Sequence, residues 1–247
     1  MTNNVKKRFA AEQVLELNLK FENSSAQEIL EWATSLHPRI ALATSFQAQG
    51  VVLIDMFLKI NKKARIFTLD TGRLNEETYE VMDAIRSRYG ANIEIVFPDK
   101  NEVEEMVTTH GPNLFYKSKD KRFLCCDIRK VRPLDNYLPN LDGWITSIRK
   151  DQTENRAEAK KFEFDELHGG LLKINPLVDW SSKQVWDYIK EHNVPYNKLH
   201  DIGYPSIGCA PCTRAVKDEE DPRAGRWWWE SDSDKECGLH INHNLNA

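Results

Sequence analysis

Arg39-Ile40-Ala41-Leu42-Ala43-Thr44 is the stretch whose reading decides the fold. Its apolar centre follows Pro38 and runs into Thr44-Ser45, which predicts a short strand buried on both faces. Outward from it an alternation appears. Gly50–Ile60 has the apolar content of a buried helix, and Arg65–Leu69 (RIFTL) reads as a second strand. Asn75 caps a helix running to Tyr89, with Glu76 and Glu77 in its first turn where the helix dipole favours them. Asn92–Phe97 (NIEIVF) and Gly143–Ile148 (GWITSI) complete four strands. Strand, helix, strand, helix predicts an α/β fold: an open, mostly parallel sheet with helices on both faces. Such sheets bind ligands beyond the carboxyl ends of their strands. The loops Thr44–Gly50, Asp70–Arg73 and Arg149–Arg156 are therefore the places to look for a site.

The flanks read differently. Residues 1–38 predict an N-terminal helical segment, with a capping box at Ser25-Ala26-Gln27-Glu28 and Ile29, Trp32, Ala33 and Leu36 at helical spacing. Pro38 ends it. Residues 39–215 carry the α/β domain, closing with an amphipathic helix that starts at Ser181-Ser182-Lys183-Gln184. Residues 216–247 read as a mobile C-terminal tail, rich in charge and poor in periodicity. Trp227-Trp228-Trp229 is too apolar to leave in water, so the tail is expected to fold over the domain.

Composition excludes several classes of function. Of 247 residues, 40% are hydrophobic, enough for a substantial core, and the net charge of −4 gives no electrostatic case for coating nucleic acid. No apolar run approaches the ~20 residues that span a bilayer. The opening MTNNVKKRFAAEQ lacks the apolar centre of a secretion signal, so a cytoplasmic location is expected. Neither G-x-x-x-x-G-K-[ST] nor G-x-G-x-x-G occurs, which sets aside a P-loop kinase and a dinucleotide oxidoreductase. Charge is uneven: Lys117–Arg132 holds seven bases and two acids, whereas Asp218–Glu236 holds eight acids and three bases. These segments either pair across a site or form two solvated faces.

The five cysteines are too few for a disulfide scaffold and odd in number. Cys125 and Cys126 are adjacent; Cys209-Ala210-Pro211-Cys212 is a C-x-x-C. Two close pairs match the ligand count of an Fe–S cluster or a structural zinc. Adjacent ligands diverge in regular backbone and need a local distortion, which a cubane with separate iron corners accommodates better than one small ion. A zinc site and a metal-free dithiol remain alternatives, although C-A-P-C here lies in a loop rather than at the strand–helix junction of thioredoxin-like proteins. Cys237 stands alone, preceded by Asp232, Asp234 and Glu236, which disfavour a thiolate. It becomes a nucleophile only by docking against a cation or a base such as His240.

Taken together, Cys125-Cys126 with Arg129-Lys130, Gly208-Cys209-Ala210-Pro211-Cys212-Thr213-Arg214, Arg223-Ala224-Gly225-Arg226-Trp227-Trp228-Trp229 and Glu236-Cys237-Gly238-Leu239-His240 resemble the assimilatory adenylyl-sulfate / phosphoadenylyl-sulfate reductase family. Leu69-Asp70-Thr71-Gly72-Arg73 and Ile148-Arg149-Lys150-Asp151-Gln152 with Arg156 resemble its nucleotide-site segments. Retention of both cysteine pairs is similar to the branch that binds a [4Fe–4S] cluster and reduces adenosine 5′-phosphosulfate (APS). The resemblance implies an adenine-nucleotide PP-loop type of fold, with Cys125, Cys126, Cys209 and Cys212 holding the cluster. It implies Cys237 as catalytic nucleophile, and Thr44, Ser45, Leu69, Lys130, Arg156, Arg223, Arg226 and His240 as substrate-binding residues. It also implies sulfite and AMP as products, an enzyme S-sulfocysteine intermediate, and thioredoxin or glutaredoxin as reductant. The setting would be sulfate assimilation and cysteine biosynthesis; the resemblance leaves a homo-oligomer open.

One segment departs from the pattern. Many APS-type members carry Gly-Ala-Glu-Asp where this chain has Gln47-Ala48-Gln49-Gly50. Fewer acids there oppose a 3′-phosphate less, so phosphoadenylyl sulfate (PAPS) or dual specificity is a second expectation. A non-catalytic cluster- or zinc-binding nucleotide sensor is a third.

Overall fold

The structure is a computed structural model that describes residues 9–230. Cys237, His240 and the rest of the tail beyond Glu230 lie outside the described residues, as do residues 1–8. The described chain divides into two compact units. One comprises the chain up to Thr68, Val81–Glu94 and Tyr137–Tyr196; the other comprises Leu69–Glu80, Ile95–Asn136 and the chain from Asn197 onward.

The sheet consists of β1 (Ile40–Ala43), β2 (Arg65–Leu69), β3 (Ile93–Val96), β4 (Gly143–Ile145), β5 (Phe162–Asp165) and β6 (Leu171–Ile174), in the order β3-β2-β1-β4-β6-β5. β1 pairs in parallel with β2 on one side and β4 on the other, with Ala41 opposite both Arg65 and Trp144. Ile40, Ala41 and Leu42 are wholly buried, which is why the run that sets the fold has no polar alternation. β6 continues the parallel order from β4, and β5 closes that edge as an antiparallel strand. The last two strands were not anticipated: Phe162–Asp165 carries two acids and Leu171–Ile174 a lysine, so neither shows the plain apolar run of β1.

The N-terminal helical segment is two helices, α1 (Ala11–Lys20) and α2 (Ala26–Thr34). Ser25 starts the second with the expected box: its hydroxyl accepts from the Glu28 amide at 3.2 Å and its amide donates to the Glu28 carboxylate at 2.7 Å. α3 (Ala48–Ile60) is buried along nearly its whole length. α4 (Glu76–Tyr89) follows β2, and α8 (Ser182–His192) starts at a second capping box formed by Ser181 and Gln184. Within the first unit the buried carboxylate of Asp55 on α3 accepts hydrogen bonds from the Tyr89 hydroxyl (2.8 Å) and the Tyr188 hydroxyl (2.6 Å), and pairs with Lys59 Nζ (2.7 Å). Burial alone would raise its pKa, but the bonds from Lys59, Tyr188 and Tyr89 prevail and hold it below the usual carboxylate range.

The second unit holds α5 (Lys100–His110), α6 (Lys119–Cys126) and most of α7 (Arg132–Tyr137), with residues 197–230 folded among them. Its core gathers Met106, Leu114, Phe115, Ile128, Cys212 and Trp227. The folding-over expected of the tryptophan run is therefore observed as far as Glu230. Among the described residues no helix is long and apolar enough to cross a membrane.

Candidate functional site

Two local structures deliver the cysteine pairs, both in the second unit. Ser118 starts α6, its hydroxyl accepting from the Lys121 amide, and the helix ends on Cys125-Cys126. Directly after Cys126 the backbone widens into a π-helical turn, Asp127–Val131. The distortion expected for adjacent ligands thus follows Cys125 and Cys126 rather than falling between them, and single π turns are common at functional sites. The C-x-x-C forms a 3-10 turn closed by the Cys212 amide donating to the Cys209 carbonyl at 2.9 Å. It hangs from the loop after β2. The Ala210 amide donates to the Arg73 carbonyl (2.8 Å), Asn75 Nδ2 donates to the Gly208 carbonyl (3.1 Å), and Thr71 Oγ1 lies 3.2 Å from Cys209 Sγ. Asp70 shapes that loop by accepting from the Gly72 amide.

All four cysteines line one open cavity of about 400 Å³. Its other walls are Arg73, Arg122, Arg129, Lys130 and Arg226, with Phe115, Pro211 and Trp227. Among the described residues no carboxylate lines it. Arg129 is buried and donates from Nη1 to the Thr71 carbonyl at 2.6 Å. Nη1 of Arg122 and Nε of Arg226 are buried without a hydrogen-bond acceptor. Buried cationic donors without acceptors are costly, and an anionic occupant would offset that cost. Burial first, then the neighbouring Cys209, pushes the Cys212 thiol up to about 12. Burial likewise raises Cys125 against the pull of Arg129.

These residues fit a thiolate-ligated iron–sulfur cluster. Such a group is anionic, accepts hydrogen bonds at its sulfurs, and needs four cysteines around a space rather than at a point. Among the described residues no three His, Cys, Asp or Glu side chains converge closely enough to hold one ion. Four cysteine thiols around one cavity are a donor set that suits such a centre.

The chain that follows is locked against this cavity. The Trp227 amide donates to the Cys212 carbonyl (3.1 Å), and Thr213 and Arg226 form an antiparallel bridge. The Trp227 ring, 1% exposed, has the guanidinium of Arg122 at 4.6 Å and that of Arg226 at 4.8 Å from its centroid. Trp227 adopts φ +42°, a strained value for a non-glycine residue. Gly208 makes room for Arg226, since a Cβ there would lie 2.5 Å from its Nη2. Arg122 also forms a two-pronged ion pair with Glu230, both contacts at 2.8 Å. The basic and acidic segments therefore do meet, at this pair. Trp229 packs on Tyr116 with ring centroids 4.4 Å apart.

The other residues singled out from the sequence are placed as follows. In the second unit, Leu69 ends β2, and Arg223 accepts at its carbonyl from the Arg226 amide without lining the cavity. In the first unit, Thr44 Oγ1 accepts from the Phe46 amide at 3.1 Å, shaping the loop after β1. Gly50 permits that close turn, because a Cβ there would meet Thr44 Oγ1 at 2.8 Å. Ser45 is exposed and accepts from Gln47 Nε2. Arg156 Nη1 donates to Gln152 Oε1 at 2.5 Å. Asp151 of the same loop accepts from the Ser182 amide at the start of α8. Arg73 and Arg129 sit inside motifs the sequence had flagged but were not singled out as site residues. Arg122 showed only as part of a basic run.

Comparison with known proteins agrees with this geometry. The phosphoadenosine phosphosulfate reductase domain matches residues 39–215. An adenosine 5′-phosphosulfate reductase from Burkholderia cepacia is 46% identical over 226 residues, covering 92% of this chain and 89% of that protein. The solved structure of a PAPS reductase from Candida auris, a phosphate complex, superposes with a TM-score of 0.72 at 31% identity, covering 84% of this chain and 98% of that one. An FMN adenylyltransferase from Candida glabrata is similar in fold alone, with a TM-score of 0.53 at 15% identity and coverage of 98% and 78%. That likeness shows an α/β fold of the open, mostly parallel kind expected from the sequence. On these matches the chain belongs to the adenylyl-sulfate / phosphoadenylyl-sulfate reductase family.

Proposed function

We propose that this protein reduces APS to sulfite and AMP, with Cys237 as the nucleophile. The observation that carries this reading is the likeness over nine-tenths of the chain to a reductase named for APS, joined to the convergence of both cysteine pairs on one cationic cavity. The thiolate of Cys237 attacks the sulfur of the phosphate–sulfate anhydride, the S–O bond to phosphate breaks, and AMP leaves with the electron pair. A dithiol such as reduced thioredoxin or glutaredoxin then attacks the Cys237 sulfur. The S–S bond breaks, sulfite leaves with the pair, and the second thiol of the reductant closes its disulfide and frees Cys237. Both electrons come from the dithiol.

Attack of an anion on an anion needs fixed positive charge. Lys130, Arg156, Arg223 and Arg226 are assigned that task, the guanidinium groups suiting flat contact to phosphate or sulfate oxygens. Thr44 and Ser45 offer hydroxyls and loop amides to ribose or phosphate oxygens, Leu69 packs on adenine, and His240 accepts the Cys237 proton. A [4Fe–4S] cluster bound by Cys125, Cys126, Cys209 and Cys212 would supply fixed negative charge that holds the surrounding cations in place. A cytoplasmic setting fits this chemistry, because thiols and dithiol reductants persist there.

Mass spectrometry after incubation with APS alone tests the reading. An SO₃ adduct on Cys237, absent from Cys237→Ser, is expected; turnover by Cys237→Ser would overturn it. A second reading, PAPS or dual specificity, is favoured by Gln49 and Gly50 where acids would repel a 3′-phosphate. Parallel assays with both nucleotides decide it.

A further inference from the structure

The mechanism above makes no use of Glu230, yet Glu230 is the last described residue before the nucleophile and is tied down with care. Its carboxylate is 10% exposed and its partner Arg122 is 4% exposed. The pair joins positions 108 residues apart, one on α6 a single turn before Cys125, the other seven residues before Cys237. Arg122 meanwhile lines the cysteine cavity and lies over the Trp227 ring, whose other guanidinium neighbour is Arg226. One side chain thus touches the cavity wall, the buried tryptophan and the start of the chain that leads to the nucleophile.

Resting on the assignment of Cys237 above, we infer that Arg122 and Glu230 are a positioning pair. They pin the chain at Glu230, and the Arg122–Trp227–Arg226 stack carries the same restraint to a substrate cation. With Glu230 fixed, Cys237 stays within about 24 Å of it, the extended reach of seven residues. Release of the pair moves the next tether back to the Trp227 amide on the Cys212 carbonyl, and it loosens Arg226. Both changes lower the effective concentration of thiolate at the sulfate.

Glu230→Gln and Glu230→Asp in the full-length, cluster-loaded protein test this, provided that iron content and urea midpoint match wild type. Tryptic cleavage after Arg226 reads the anchor, since a protease tracks the open population. It is expected to quicken about tenfold in Glu230→Gln. The rate of adduct formation on Cys237 at saturating APS is expected to fall about tenfold, about twofold from the longer leash and the remainder from the loosened Arg226. Glu230→Asp, which keeps the charge, is expected to recover most of both. Should Glu230→Gln unfold, Arg122→Lys carries the same comparison. Cleavage and adduct rates within twofold of wild type overturn the inference. Faster cleavage with an unchanged adduct rate also overturns it, because the pair would then be structural only. A wild-type protein that forms no adduct overturns the nucleophile assignment instead, and cleavage alone then decides the anchor.

Discussion

Two of the places where the described residues bury charge are built on opposite rules. Around Asp55 in the first unit the cluster is closed: one carboxylate receives two tyrosine hydroxyls and a lysine. Around the cysteines in the second unit the cluster is open. Among the described residues five cations and four thiols line a cavity with no carboxylate, and two guanidinium nitrogens lack acceptors. A closed cluster is a finished piece of folding, and an open one is shaped for something it must receive. Stability and function should therefore separate cleanly between them.

Mutation can break that separation. Cys212→Ser is expected to have the largest effect, with bound iron and APS reduction both lost, read by iron analysis and sulfite release. Lys130→Ala should lower kcat/KM by about 100-fold while leaving iron content and thermal midpoint near wild type. Asp55→Asn should do the reverse. It should cost about 2 kcal/mol in urea unfolding at pH 7, with kcat/KM within about twofold of wild type. Because the Asp55 carboxyl is held below its unfolded range, its contribution is present above the unfolded pKa of about 4 and fades as pH falls through the folded value. The gap between Asp55→Asn and wild type should therefore shrink toward pH 3. Lys59→Met should have the smallest effect, about 0.5 kcal/mol, since its ammonium is half exposed. Loss of activity in Asp55→Asn at unchanged stability would erase the contrast.

The two regions were also unequally legible in the sequence. The central strands and α3 followed from local pattern, because burial on both faces leaves a plain apolar run at Ile40–Ala43. The Ser25 and Ser181 boxes are local chemistry and were read residue by residue. β5 and β6 were missed although Gly169-Gly170 marks the turn between them; the two acids of β5 and the lysine of β6 interrupt any plain apolar run. The cysteine pairs were plain from spacing; Cys125 and Cys126 are the last two residues of α6, and a π turn follows them. Arg122 was not singled out, for a physical reason: its significance lies in Glu230, Trp227 and the cavity, none of them near it in sequence. Single-sequence reading finds pairs that are close in the chain; it does not find a salt bridge across 108 residues.

The account turns on the open cavity being a seat for an inorganic centre. Anaerobic purification followed by iron and acid-labile sulfide analysis addresses that directly. About four of each per chain are expected, with APS reduction lost when they are removed and regained on reconstitution. Iron-free protein that reduces APS at the full rate would contradict it.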